Sequence, residues 1–193
     1  MKRFVISATL ILLLAASAGS AASLKSLMMV GPYAGYTIGF GDAFKDYEIG
    51  NSKFSSKAGL NFGGNIHNGL SDKMMIGGEL YIQSFKYEAE VEGFGSTSDT
   101  ESGTNFLFSG LYAMSQMQKA MFLLNAGAGL YDTGDNDIGF FGGIMYQRLM
   151  AAKISLYLMA RMHFVMASDT VTMLQLAIGL HFWLGSTGAP MEM

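Results

Sequence analysis

Residues 170–184 alternate in character. Leu174, Leu176, Ile178, Leu180, Phe182 and Leu184 take the even positions, and Gln175, Ala177, Gly179, His181 and Trp183 fall between them. Successive side chains of a strand point to opposite faces, so the stretch is expected to be a strand with one apolar face and one mixed face. The same period of two returns along the chain and predicts strands at residues 27–40, 54–66, 73–87, 104–114, 120–131, 138–149, 153–166 and 170–184. It is cleanest in the seventh. There Ile154, Leu156, Leu158, Ala160, Met162, Phe164 and Met166 oppose Lys153, Ser155, Tyr157, Arg161 and His163. The fourth carries apolar residues on both faces, Phe106 and Phe108 on one and Leu107 and Leu111 on the other. Pro32 lacks an N–H and predicts a bulge or strand entry in the first. Asn68-Gly69 predicts a hairpin turn after the second.

Strands of 11–15 residues exceed the ~5–6 usual in globular sheets and match a tilted crossing of a bilayer, which takes ~9–11. The connections alternate in length. The first, third, fifth and seventh hold 13, 16, 6 and 4 residues, the last counted through Thr170, and the three between them about 6, 5 and 3. Long loops at one end, tight turns at the other and an even strand count predict an eight-stranded antiparallel up-and-down transmembrane β-barrel.

Composition settles which face points outward in such a barrel. Half the residues are hydrophobic and 14% are charged, against ~25% in a typical soluble domain. The even face carries no Asp, Glu, Lys or Arg in the middle of the strands; Lys86 and Arg148 come only at segment ends. The odd face holds Lys57, Glu79, Arg161, His163 and His181, with Asn61, Asn65, Gln83, Asn125, Gln147 and Gln175. In lipid the apolar face must be outside and the sheet must close, because no water satisfies an open edge. Eight strands leave an interior that side chains just fill, so an open pore is not expected. Outward aromatics near strand ends (Tyr36, Phe40, Phe106, Tyr112, Tyr146, Phe164 and Phe182) fit interfacial girdles.

Residues 1–22 read as a signal peptide, with Lys2 and Arg3, an apolar run over 4–16 and small residues up to a cleavage site after Ala22. Residues 23–193 are then the barrel domain, exported to the bacterial outer membrane. With no cysteine, stability comes from packing or membrane and not from disulfides. The net charge of −3 without a basic patch excludes a nucleic-acid partner.

The chain resembles the small outer-membrane β-barrel superfamily typified by the OmpA transmembrane domain and OmpX. The likeness is one of pattern over residues 23–184. The family's C-terminal insertion signal is matched at Gly179, Phe182 and Leu184, although Ala177 stands where that signal has a polar residue and nine residues follow. The resemblance implies outer-membrane lipid and the barrel-assembly machinery as partners.

Lys57, Glu79, Arg161, His163 and His181 form the candidate lumen charge network. Glu79 and Arg161 fall on opposed strands and can pair across so narrow a lumen, Lys57 being the competing partner. The pair reads as packing or as a gate. Ser155 is expected at the lumen rim. His163 with Ser168 does not reproduce the His-x-Ser arrangement of barrel hydrolases and has no third member, so no catalytic residue is assigned. The acidic stretch 88–103 and the run Asp132-Thr133-Gly134-Asp135-Asn136-Asp137 could attract divalent cations but read as solvated loops; no metal or cofactor is expected. The functions expected are a non-enzymatic envelope-structural or surface-interaction role through the loops, as a monomer with an unidentified surface ligand. A narrow porin-like conduit is the alternative, and a secreted lipocalin-like binder a third.

Overall fold

A computed structural model describes residues 23–40, 44, 47–49, 52–91, 95–117, 119–132, 136–167 and 170–185, without the side chains of 47–49, 52–58, Tyr87 and Val91. The expected signal peptide lies outside the described residues. Among the described residues nine strands appear: β1 (Met28–Phe40), β2 (Tyr47–Ile49), β3 (Ser52–Gly69), β4 (Met74–Val91), β5 (Gly95–Gln116), β6 (Ala120–Asp132), β7 (Asn136–Ala151), β8 (Ile154–Met166) and β9 (Val171–Leu184). The pairings are antiparallel, and β1 pairs with both β9 and β3, so eight strands close into a ring while short β2 pairs with the start of β3.

The ring is sheared. Phe40 leads by successive partners through Thr172, Phe164, Phe140, Ala128, Phe108, Gly78 and Ile66 back to β1 at Val30, ten residues from its start. A staggered register tilts the strands by ~35–45°. The same row carries Phe40, Phe164, Phe140 and Phe108, each 44–62% exposed on the outer wall.

Parity holds round the ring. Leu158, Ile178, Phe62, Ile82 and Ile144 are each half-exposed outward, while Tyr81, Leu107, Leu111, Met145, Tyr157 and Trp183 are buried inside. The fourth predicted strand also keeps its even residues out, and Leu107 and Leu111 fill the interior. Pro32 makes no bulge. The β1–β9 ladder skips Gly31 and Pro32 and resumes in the same register.

Three local expectations fail. Asn68 and Gly69 stay in β3, paired with Ile76 and Met75, and the turn is Leu70 to Lys73. Residues 24–27 displace it: they tuck under the ring, where Ser26 N donates to Gly69 O and Gly69 N to Leu27 O. Leu24 and Leu27 are buried there. Secondly, the first connection contains β2. Thirdly, residues 88–91 and 95–103 of the acidic stretch are strand and not loop, because β4 and β5 run through them as a hairpin whose last pair is Val91 with Gly95; residues 92–94 lie outside the described residues. The β5 arm is exposed on both faces over residues 95–102, so no apolar period marks it.

β5 pairs with β6 from Phe106 onward, so among the described residues 95–105 pair with β4 alone. Gly103 marks the parting. A Cβ there would lie 2.2 Å from the Asp132 carbonyl oxygen, where β6 ends against β5. Asp132 secures the junction, accepting from Thr104 N through Oδ2 and donating its N–H to Asn105 Oδ1. Above it β2, the starts of β3 and β5 and the end of β4 form a sheet rising from one side of the ring.

Candidate functional site: the lumen and its ion pair

The shear decides which residues meet across the lumen. Successive partners of Arg161 on β8 are Gly143, Asn125, Leu111 and then Met75 on the opposite strand β4, four residues from Glu79. Half of a ten-residue shear is five, and only an even offset keeps the inward parity. The residues four and six along, Glu79 and Tyr81, are therefore the inward ones nearest the level of Arg161 along the barrel axis.

Arg161 and Glu79 form a doubly hydrogen-bonded ion pair, with Nη1 donating to Oε2 at 2.8 Å and Nη2 to Oε1. Both residues are buried, Arg161 to 1% exposure and Glu79 to 6%. Planar guanidinium matches carboxylate in this geometry. The Tyr33 hydroxyl also donates to Glu79 Oε1. Arg161 Nε donates to Gln175 Oε1, its direct cross-strand neighbour. Gln175 Nε2 donates to Asn61 at 2.9 Å, and Asn61 Nδ2 to Thr37 Oγ1 at 2.8 Å. Phe141 lies 4.9 Å from the guanidinium carbon and Tyr81 5.7 Å, giving the cation two aromatic faces.

His163 is held beside this cluster. Its Nδ1 meets the Tyr131 hydroxyl at 2.7 Å and its Nε2 meets Gln175 Oε1 at 3.2 Å, while its ring stacks on Phe141. Ser168 lies outside the described residues. His181 sits nearer the tight turns, stacked on Tyr157 with ring centres 3.9 Å apart and bonded through Nε2 to Asn65 Oδ1 at 3.0 Å. Asn65 in turn donates to the Tyr157 hydroxyl. The side chain of Lys57 lies outside the described residues; its backbone pairs with Lys86 beside an irregularity in the β3–β4 ladder.

Gly179 makes room for the stacked pair, since a Cβ there would come within 2.6 Å of the Tyr157 ring and of the Pro32 carbonyl oxygen. Phe182 and Leu184 point outward, 39% and 47% exposed. Ser155 is not at an open rim. It is fully buried and accepts hydrogen bonds from Gln147 Nε2 and from Trp183 Nε1, the latter at 2.8 Å.

Tyr33, Tyr131, Tyr81, Phe141 and Thr37 complete the arrangement, although charge and motif do not single them out. Their odd positions on predicted strands were the available signal. Among the described residues no cluster of three or more His, Cys, Asp or Glu side chains comes together. Glu88 pairs with Lys86 at 3.0 Å.

Comparison with known structures agrees on the fold. A de novo designed transmembrane β-barrel superimposes with a TM-score of 0.51 at 10% identity, covering 83% of this chain and 97% of that one. The outer membrane protein OprG from Pseudomonas aeruginosa superimposes with a TM-score of 0.51 at 9% identity, covering 86% and 99%. No family model and no curated protein sequence matches. The chain has the fold of an outer-membrane β-barrel.

Proposed function

We propose that this is a non-enzymatic integral outer-membrane protein, a closed barrel that anchors a sheet displayed on the cell surface. The observation that carries this is the sheet above the ring, where, among the described residues, 95–105 of β5 pair on one side only and each of residues 95–102 is exposed. An unpaired strand edge offers a row of backbone donors and acceptors to an extended partner segment. The apolar outer wall supports the membrane location and does not suit a secreted lipocalin-like binder, whose outside meets water. The filled lumen favours an anchor over a narrow conduit. The leader at residues 1–22 and the C-terminal pattern at Gly179, Phe182 and Leu184 fit export and delivery to the barrel-assembly machinery, as in the small barrels typified by OmpA and OmpX.

Two measurements test the reading. A protease site at Ser96 is expected to be cut on intact cells while one at Gln116 is spared; the reverse would invert the orientation. In planar bilayers the purified protein is expected to give no steady conductance, and discrete ion channels in the wild type would favour the conduit.

A further inference from the structure

Lys73, Lys119 and Lys153 occupy equivalent places. Each is the last residue of a tight turn, immediately before β4, β6 and β8. Each fixes its backbone in the same way. Its carbonyl accepts the N–H of the neighbouring strand, from Ala113 to Lys73 at 2.8 Å, from Leu149 to Lys119 at 2.8 Å and from Trp183 to Lys153 at 2.9 Å. The backbone is thus held at the end of a ladder while the side chain is exposed. Lys25, also exposed, stands three residues before β1. Around the ring, β1, β8, β6 and β4 are alternate strands, so the four lysines encircle one end at regular intervals. Arg148 adds a fifth cation on the outer wall, level with Ala120.

The apolar wall runs right up to these cations. Leu70 and Met74 flank Lys73, Met150 lies between Arg148 and Lys153, and their exposures are 54%, 45% and 62%. Lysines placed where apolar surface ends sit at head-group depth, with stems along the hydrocarbon and ammonium groups in the polar layer. Asp72, the acid at this end among the described residues, accepts a hydrogen bond from Ser23. At the opposite end Glu90, Asp99, Glu101 and Asp132 outnumber Lys53, Lys57 and Lys86, so the balance of charge differs along the barrel axis.

We infer that the tight-turn end is a collar for the phosphates of anionic phospholipids in the leaflet it occupies, with Lys25, Lys73, Lys119 and Lys153 as its repeated elements. The inference rests on the membrane-spanning reading but not on the role proposed for the protruding sheet. A basic residue near an anionic lipid surface favours binding on the order of fivefold. Several such residues shared among many lipids should give a severalfold preference for anionic over zwitterionic neighbours.

The test uses the full mature chain in phosphatidylcholine vesicles, with spin-labelled phosphatidylglycerol or spin-labelled phosphatidylcholine as probe. The motionally restricted fraction of each label is the readout, and heat-modifiable migration on a gel verifies folding. The wild type is expected to restrict phosphatidylglycerol severalfold more strongly, and added salt should weaken this preference. It should fall toward parity in Lys73→Gln/Lys119→Gln/Lys153→Gln. It should survive in the corresponding triple arginine variant and in Lys86→Gln at the far end. Equal restriction of the two probes by the wild type would overturn the collar, as would an unchanged preference in the triple glutamine variant. Loss of the preference to inorganic phosphate but not to chloride of equal ionic strength would assign the lysines to free phosphate instead. A chain that never inserts overturns the membrane reading and the collar with it, whereas insertion without lipid preference overturns the collar alone.

Discussion

Strands β4 and β5 each pass through two environments, and the contrast shows what holds the molecule together. Within the ring, Glu79, Tyr81 and Gln83 are buried while Leu80 and Ile82 are half-exposed on the apolar wall. Beyond the ring the same two strands continue in unbroken register from Lys86 and Thr100 to Val91 and Gly95, and residues 95–102 of β5 are exposed on both faces. The hydrogen-bond ladder is the same above and below. What changes is that the lower part has an inside. Strand pairing therefore persists without a core, but the lower part additionally depends on its buried contacts.

The largest effect should come from breaking the centre of the lumen. Glu79→Gln or Arg161→Gln alone leaves a buried charge without its partner and should cost ~3–5 kcal/mol. The double variant should recover part of that loss. Equilibrium unfolding in lipid vesicles closes the cycle, and strictly additive losses would show that the two groups are not coupled. Next comes the wall. Leu158→Arg places a cation on the lipid side and should cost ~2–4 kcal/mol if it lies near the midplane. An effect below ~1 kcal/mol in the same assay would mean that this face does not meet hydrocarbon at that depth.

Tyr33→Phe removes one donor from Glu79 and leaves the guanidinium in place, so a smaller loss of ~1–3 kcal/mol is expected. A loss equal to that of Arg161→Gln would make the tyrosine and not the arginine the main partner. The smallest effect belongs to the protruding hairpin. Ser98→Ala and Thr100→Ala should each change stability by no more than ~0.5 kcal/mol, read from the same unfolding curves. A larger change would show that the hairpin is part of the cooperative unit.

The same contrast explains what could be read from the chain beforehand. Period two records a difference between two faces, and it was legible wherever the wall separates lumen from apolar surroundings. Residues 88–91 and 95–103 are paired like the rest, but water on both faces of the β5 arm erases the period, so nothing in the sequence separates this hairpin from a loop. Asn68-Gly69 carries a real turn preference, overridden because residues 24–27 pair against it. Glu79 and Arg161 could be placed inside by parity and on opposed strands by counting. Their common level depends on a shear of ten, which is a property of ring closure and is not encoded in any one segment. Gln175, Asn61 and Tyr33 follow from that register once it is known.

The ladder between β1 and β9 joins Met28 to Leu184, which carries a consequence for biogenesis. The first strand to be synthesised waits for the last, and everything in between is an open sheet until then. Such distant pairing makes closure slow, and an unclosed sheet has no stable place in hydrocarbon. Threading into the bilayer and shutting of the ring must therefore occur as one event. A chain that stops short of β9 should yield no partial barrel, only a substrate for quality control.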